Sequence, residues 1–261
     1  MKTILETIME HKRMEVLKRR SRKPLDQLKK KTLYHREPLN PLDFFKDNEP
    51  NIIAEFKRKS PSGGNMAGSI NPVPVVESYK AGGAMASSIL TDRDFFGGSF
   101  RDLENVKSKI EDFPLLRKDF MFDTYQVHEA KAYGADIILL IASVLDKRQV
   151  VEMTDIAGSL GLSVLFEVHG EEELEKWVPA IKMVGVNNRN LNNLKVDIGH
   201  SVELYPKLPK EAFKISESGI KDPEDVKILY SAGYRGFLMG ERFMKSDDPG
   251  GSLKKFISQI S

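Results

Sequence analysis

The chain reads as a (β/α)8 barrel, and two patterns in its 261 residues predict that class. Eight short apolar runs are separated by stretches long enough to hold helices: Ile52 to Phe56, Ser87 to Leu90, Leu115 to Lys118, Ile137 to Ile141, Val164 to Val168, Val184 to Asn187, Phe213 to Glu217 and Phe237 to Gly240. Between them lie helix-like segments at Val127 to Tyr133, Lys147 to Leu160, Glu171 to Ile181 and Pro223 to Ala232. Gly134, Gly161 and Gly233 stand where a helix C-terminus favours glycine. Strand and helix in strict alternation imply parallel pairing through right-handed crossovers.

At or beside the end of each run stands a polar or glycine residue that a buried strand does not need for packing. Near the exits stand Glu55, Thr91, Lys118, Ser143, Glu167, Asn187, Glu217 and Gly240. In this architecture the carboxyl ends of the strands face a common cleft, so distant segments deliver side chains to one substrate. Three carboxylates and two lysines are expected to converge there.

Composition narrows the classes. Hydrophobic content of 40% and charged content of 30% fit a globular chain of one domain size. No run approaches the roughly 18 apolar residues of a membrane span, and the charged start MKTILETIMEHKRMEV is unlike a signal peptide. A cytoplasmic location is expected. Zero cysteines exclude disulfides, thiolate nucleophiles and thiolate metal sites. Residues 1–31 hold eleven Lys and Arg against four acidic residues, a local excess of +7, so the other 230 carry −5 of the net +2. Such an arm either binds nucleic acid or forms a solvated helical extension that caps the barrel and draws in anionic substrate. The second reading is preferred, because Ile4, Leu5, Ile8 and Met9 recur at helical spacing and no aromatic is interleaved before Tyr34. The expected partition is an N-terminal helical extension, 1–48, packed on a catalytic barrel, 49–261, within one structural domain.

The first strand and its loop, IIAEFKRKSPSGGN, hold the densest chemistry. Alternation puts Ile53, Glu55 and Lys57 on one face, so an inward Ile53 carries an acid and a base to the mouth. Pro61 to Gly64 suits a mobile loop over a ligand. In LLRKDF, Leu116 and Lys118 share a face, which leaves Arg117 and Asp119 as an outward surface pair. Lys118 is then a proton donor, an anion holder or a Schiff-base former. Leu165 brings Glu167 inward, whereas His169 falls in the loop beyond and reads as structural or loop-polar. Asn187 is the inward member of the NNRN cluster, with Arg189 reaching back. Ser216 to Ile220 and Leu238 to Glu241 each end a strand on glycine, which lets backbone N–H groups approach a phosphate. A phosphate site after the last two strands recurs in this architecture.

With those residues assembled, the chain resembles the indole-3-glycerol phosphate synthases. The similarity runs through IIAEFKRKSPSGG, SSILTDRDFFGGS, LLRKDFMFDTYQVHEAKAYGADIILLI, LFEVHGEEEL, VGVNNRNL, ISESGI and FLMGERFM, spread over residues 50–245. The resemblance implies conversion of 1-(o-carboxyphenylamino)-1-deoxyribulose 5-phosphate to indole-3-glycerol phosphate with loss of carbon dioxide and water. It implies no metal and no organic cofactor. Carried over by position, it implies that Lys118 protonates the substrate carbonyl in ring closure and that Glu167 stabilises the cationic intermediate. Glu55 and Lys57 handle the dehydration protons, with Lys57 and Glu167 both open as the later acid. Asn187 and Glu217 orient hydroxyls and lysines. Ser60, Ser218, Gly219, Gly240 and Glu241 line the phosphate or substrate cleft, Phe95 and Phe96 wall the anthranilate ring, and Arg189 meets its carboxylate or supports the site. Arg242 departs from the family's usual small residue, either adding a phosphate contact or pointing outward. The partner expected is a small phosphorylated substrate, without nucleic acid or membrane, and the protein is expected to be a monomer, other tryptophan-pathway enzymes being possible associates. The alternatives are a phosphoribosylanthranilate isomerase, whose family uses a cysteine absent here, a Schiff-base lyase or aldolase, and a noncatalytic phosphate-ligand binder.

Overall fold

A computed structural model of the chain describes residues 2–46, 48–60, 64–65, 70–190 and 195–260, with the side chains of Ser60 and Asn65 outside that description. Eight parallel strands close into a barrel in which each pairs with its neighbours in sequence and the last with the first. They are β1 (Asn51–Phe56), β2 (Ala86–Leu90), β3 (Leu115–Lys118), β4 (Ile137–Ile141), β5 (Ser163–Val168), β6 (Met183–Asn187), β7 (Phe213–Glu217) and β8 (Gly236–Met239). All eight predicted runs are strands, except that Gly240 lies one residue beyond β8.

Two apolar layers hold the barrel. Ile53, Leu116, Leu139, Leu165, Ile215 and Leu238 fill its interior, while Ile52, Leu115, Ile138, Val164 and Phe237 face the surrounding helices. Strands buried on both faces read as continuous apolar runs, which is why the pattern was visible. The interior layer also settles the register. Ile53, Leu116 and Leu165 point inward, so Glu55, Lys118 and Glu167, two positions on, stand above them at the carboxyl-terminal mouth.

The helices begin where capping chemistry puts them. Asp123 and Asp146 cap α5 (Thr124–Ala132) and α6 (Lys147–Ser159) with Gln three residues on, and Asp222 caps α8 (Pro223–Ala232), which Gly233 closes in the left-handed region at φ 117°. The expected helix from Glu171 to Ile181 is shorter. Only Glu171–Lys176 coils, as a 3-10 helix, and Trp177 is extended. Pro179 keeps a helix from running on to Ile181, since it disfavours helical geometry at Val178 and brings no N–H of its own.

The outward surface pair expected at Arg117 and Asp119 is also corrected, because both are buried. Outward on a barrel strand means into the helix layer, and α1 (Ile4–Arg22) covers that stretch. Arg117 Nη2 lies 3.0 Å from Asp119 and 3.5 Å from Glu129. The basic arm is likewise more than a solvated extension. Ile8, Met9 and Val16 are buried as an apolar face should be, but Lys12 is fully buried too, and Arg19 pairs with Glu129 at 2.8 Å.

Candidate active site

Residues from all eight barrel strands or the loops after them, together with α1, surround one cavity at the carboxyl-terminal mouth. Glu55, Lys57, Lys118, Glu167, Asn187 and Arg189 line it. Thr91 and Ser143 contribute nothing there: Thr91 donates its hydroxyl to Asp119 at 2.7 Å in the helix layer, and Ser143 is exposed.

The centre is an alternation of charge. Lys57 Nζ lies 2.8 Å from Glu55 Oε1. Lys118 Nζ lies 2.7 Å from Glu217 Oε2 and 3.9 Å from both Glu55 Oε2 and Glu167 Oε2. Asn187 Nδ2 donates to Glu167 Oε1 at 3.0 Å, and Asn187 Oδ1 accepts from the Arg189 backbone N–H at 3.0 Å. Burial alone would push the Lys118 ammonium toward neutrality, but Glu217, Glu167 and Glu55 outweigh it and hold Lys118 well above its ordinary range. Glu55 is driven the other way: burial opposes its charge, yet Lys57 and Lys118 keep it below the ordinary carboxylate value.

Glu217 differs from both. It has no exposed surface, lies beneath the cavity, and is joined to it by its ion pair with Lys118. Burial pushes its carboxyl up to about 7, Lys118 opposing and Glu167 and Glu55 adding to the rise. Its Oε1 has no hydrogen-bond partner among the described residues. A Cβ at Gly185 of β6 would collide with that oxygen, so a glycine in mid-strand makes room for the carboxylate.

The β7 and β8 side of the wall is made by Ser218, Gly219, Gly240 and Glu241. Ser218 and Gly219 follow β7 in the left-handed region, at φ 65° and 78°. Asn188 holds that turn, its N–H donating to Glu217 O at 2.9 Å and its Nδ2 to Ser218 O at 3.0 Å. Gly240 caps α9 (Glu241–Met244) and packs so closely on β1 that a Cβ would stand 2.6 Å from Glu55 Cβ. The Glu241 carboxylate is tied to Lys245 at 2.6 Å. Arg242 is exposed, stacked on Phe256 at 5.2 Å, which decides between its two readings for the outward one.

Phe96 lines the cavity, but Phe95 does not; its ring packs edge-on against His11 of α1 at 5.7 Å. His169 sits behind Glu167, its Nε2 3.5 Å from Oε1, and is outside the cavity. Ser60 belongs to a short antiparallel pair, Lys59–Ser60 with Gly64–Asn65, but its side chain and residues Pro61 to Gly63 lie outside the described residues.

Sequence reasoning left several contributors unassigned. Ile4, Leu5 and Ile8 of α1 line the cavity as well as packing the helix. Asp92 and Phe120 line it, and Gly185 and Asn188 shape it from behind. A glycine within a central strand is a readable signal for Gly185; Asn188 belongs to the polar NNRN cluster, but its hold on the Ser218 turn is visible only in the structure.

The family model described as indole-3-glycerol phosphate synthase matches residues 5–256. The chain is 44% identical over 260 residues to the indole-3-glycerol phosphate synthase of Bacteroides thetaiotaomicron, covering 100% of both chains. It is 38% identical to that of Streptomyces griseus, over 98% of this chain and 95% of the relative. Among solved structures it resembles 3-hexulose-6-phosphate synthase from Salmonella typhimurium at a TM-score of 0.65 and 14% identity, with 80% of this chain and 98% of that one covered, which speaks for the fold alone. A family match across nearly the whole chain, joined to full-length relatives at these identities, places the protein in the indole-3-glycerol phosphate synthase family.

Proposed function

We propose that this chain catalyses ring closure, decarboxylation and dehydration of 1-(o-carboxyphenylamino)-1-deoxyribulose 5-phosphate to indole-3-glycerol phosphate. The observation that carries the reading is the placement of Lys118, proton-loaded among three carboxylates in the same cavity as the Glu55–Lys57 pair. Ring closure needs an acid at a carbonyl, and an ammonium held protonated at neutral pH supplies one. Glu167, anchored by Asn187 beside that ammonium, is positioned to stabilise the cation that forms on closure and to favour loss of carbon dioxide from it. Dehydration needs a base and an acid in reach of neighbouring atoms, which Glu55 and Lys57 offer at 2.8 Å from each other.

Glu217 acts on Lys118 rather than on substrate, because it has no surface in the cavity. The phosphate sits at the Ser218–Gly219 and Gly240–Glu241 turns, where glycine lets backbone donors come close. Arg189 and the apolar wall of Phe96 and Ile8 take the carboxyphenyl end. Residues 1–48 and the barrel act as one domain, since α1 supplies part of the cavity wall. We read the protein as a cytoplasmic monomer that takes its substrate from solution and engages no nucleic acid.

Incubation of the purified protein with this substrate tests the reading. Indole fluorescence should appear together with an equal amount of carbon dioxide, and a folded protein that releases neither would overturn it.

A further inference from the structure

We propose that Lys12 of α1 is a positioning residue for the active site, its ammonium clamping Asp92 and Asp119 so that the helix roofs the cavity while the Phe96 wall and the Lys118 strand end are held in register beneath it. This rests on the synthase reading above.

Lys12 has no exposed surface, and its Nζ lies 2.6 Å from Asp92 Oδ2, 3.0 Å from Asp119 Oδ1 and 2.7 Å from Glu15 Oε2. It meets Asp92 as an ion pair rather than along a hydrogen-bond direction. Each barrel carboxylate also grips a piece of the site. Asp92 Oδ1 accepts the backbone N–H groups of Phe95 at 2.8 Å and Phe96 at 3.3 Å, and Phe96 lines the cavity. Asp119 follows Lys118 directly, its Oδ1 accepting the Phe120 N–H at 2.9 Å and its Oδ2 receiving Thr91 and Arg117.

On the helix, Lys12 stands one turn after Ile8, and Ile4, Leu5 and Ile8 line the cavity. One cation therefore joins the roof to two walls built from different strands. Apolar side chains hold a helix to a barrel at no desolvation cost, whereas a buried ammonium is tolerated only with its partners in place and so dictates geometry. That is the property a roof over reacting groups needs.

The test is steady-state kinetics of the full-length protein in the indole-forming assay, with thermal melts alongside. Lys12→Met should lower kcat by about tenfold or more and raise KM, as small misplacements of catalytic groups do. Lys12→Arg, which keeps the charge, should fall between the two. Arg13→Met, an exposed neighbour with the same loss of charge, should stay within about twofold of the wild type. Should Lys12→Met fail to fold, Lys12→Met/Asp92→Asn removes one cation and one carboxylate together and carries the same expectation. Wild-type kcat and KM in the folded Lys12 variant, with only a lower Tm, would overturn the proposal. An inactive wild-type protein would instead overturn the synthase reading.

Discussion

Lys118 Nζ lies 2.7 Å from Oε2 of Glu217, a carboxylate without any exposed surface whose other oxygen accepts no hydrogen bond from the described residues. In the proposed chemistry the lysine carries the proton to be transferred, and the glutamate pairs with it from below the cavity. Two opposite pH responses follow from this one contact.

Burial raises the Glu217 carboxyl from 4.5 to about 7. A carboxyl raised on folding contributes stability that is complete below pH 4.5 and is lost as pH rises through 7. Thermal melts should therefore show the wild type losing stability relative to Glu217→Gln across that window, by about 1 to 3 kcal/mol. Activity should move the other way, rising through pH 7 as Glu217 gains the charge that orients Lys118. Both slopes should flatten in Glu217→Gln, and a pH–rate profile of the variant that keeps the wild-type limb would assign that limb to another group.

Gly185→Ala should act through the same contact. Its methyl would occupy the place of Glu217 Oε1, and overpacking of this kind costs about 1 to 3 kcal/mol. A fall in kcat larger than the loss of Tm explains, with the pH 7 limb displaced, is the expected result. An alanine variant with wild-type kinetics would mean that Glu217 has room to move.

Gly240→Val and Glu241→Gln should separate backbone from side chain at the phosphate end. Valine would drive its Cβ toward Glu55 Cβ and the Glu55 carbonyl, at 2.6 and 2.9 Å, rather than into the anion's place. Substrate, product and inorganic phosphate should each bind more than about tenfold weaker, and kcat should fall as well because Glu55 shifts. Glu241→Gln keeps the backbone donor and loses only a partner of Lys245, so isothermal titration should find phosphate affinity nearly unchanged. Normal binding of all three ligands by the valine variant would move the phosphate site elsewhere.

The barrel was legible because its strands are buried on both faces and its helices carry Asp caps and closing glycines. Inward Ile53, Leu116 and Leu165 were enough to bring Glu55, Lys118 and Glu167 to the mouth, since strand alternation is a local property. What failed was longer in range. Arg117 and Asp119 were read as surface because alternation says which side a residue faces but not what covers that side; α1, about 100 residues away in sequence, covers it. Lys12 was read as one charge in a solvated arm for the same reason. Phe95 and Phe96 are adjacent and chemically alike, and only the loop conformation imposed by Asp92 sends one to the cavity and the other to His11. The helix expected through Ile181 failed locally, at Pro179, a signal that was in the sequence.

Single-turnover kinetics of Lys118→Ala with substrate, set beside a binding titration, tests most directly whether Lys118 is the acid of ring closure. The lysine stands at the mouth of the barrel among carboxylates, so the variant should fold and bind substrate within about tenfold of the wild type. The rate of indole formation should fall by about 10² to 10⁴, the usual loss when a general acid is removed. Single-turnover rates equal to the wild type would contradict the account and take Lys118 out of the chemistry.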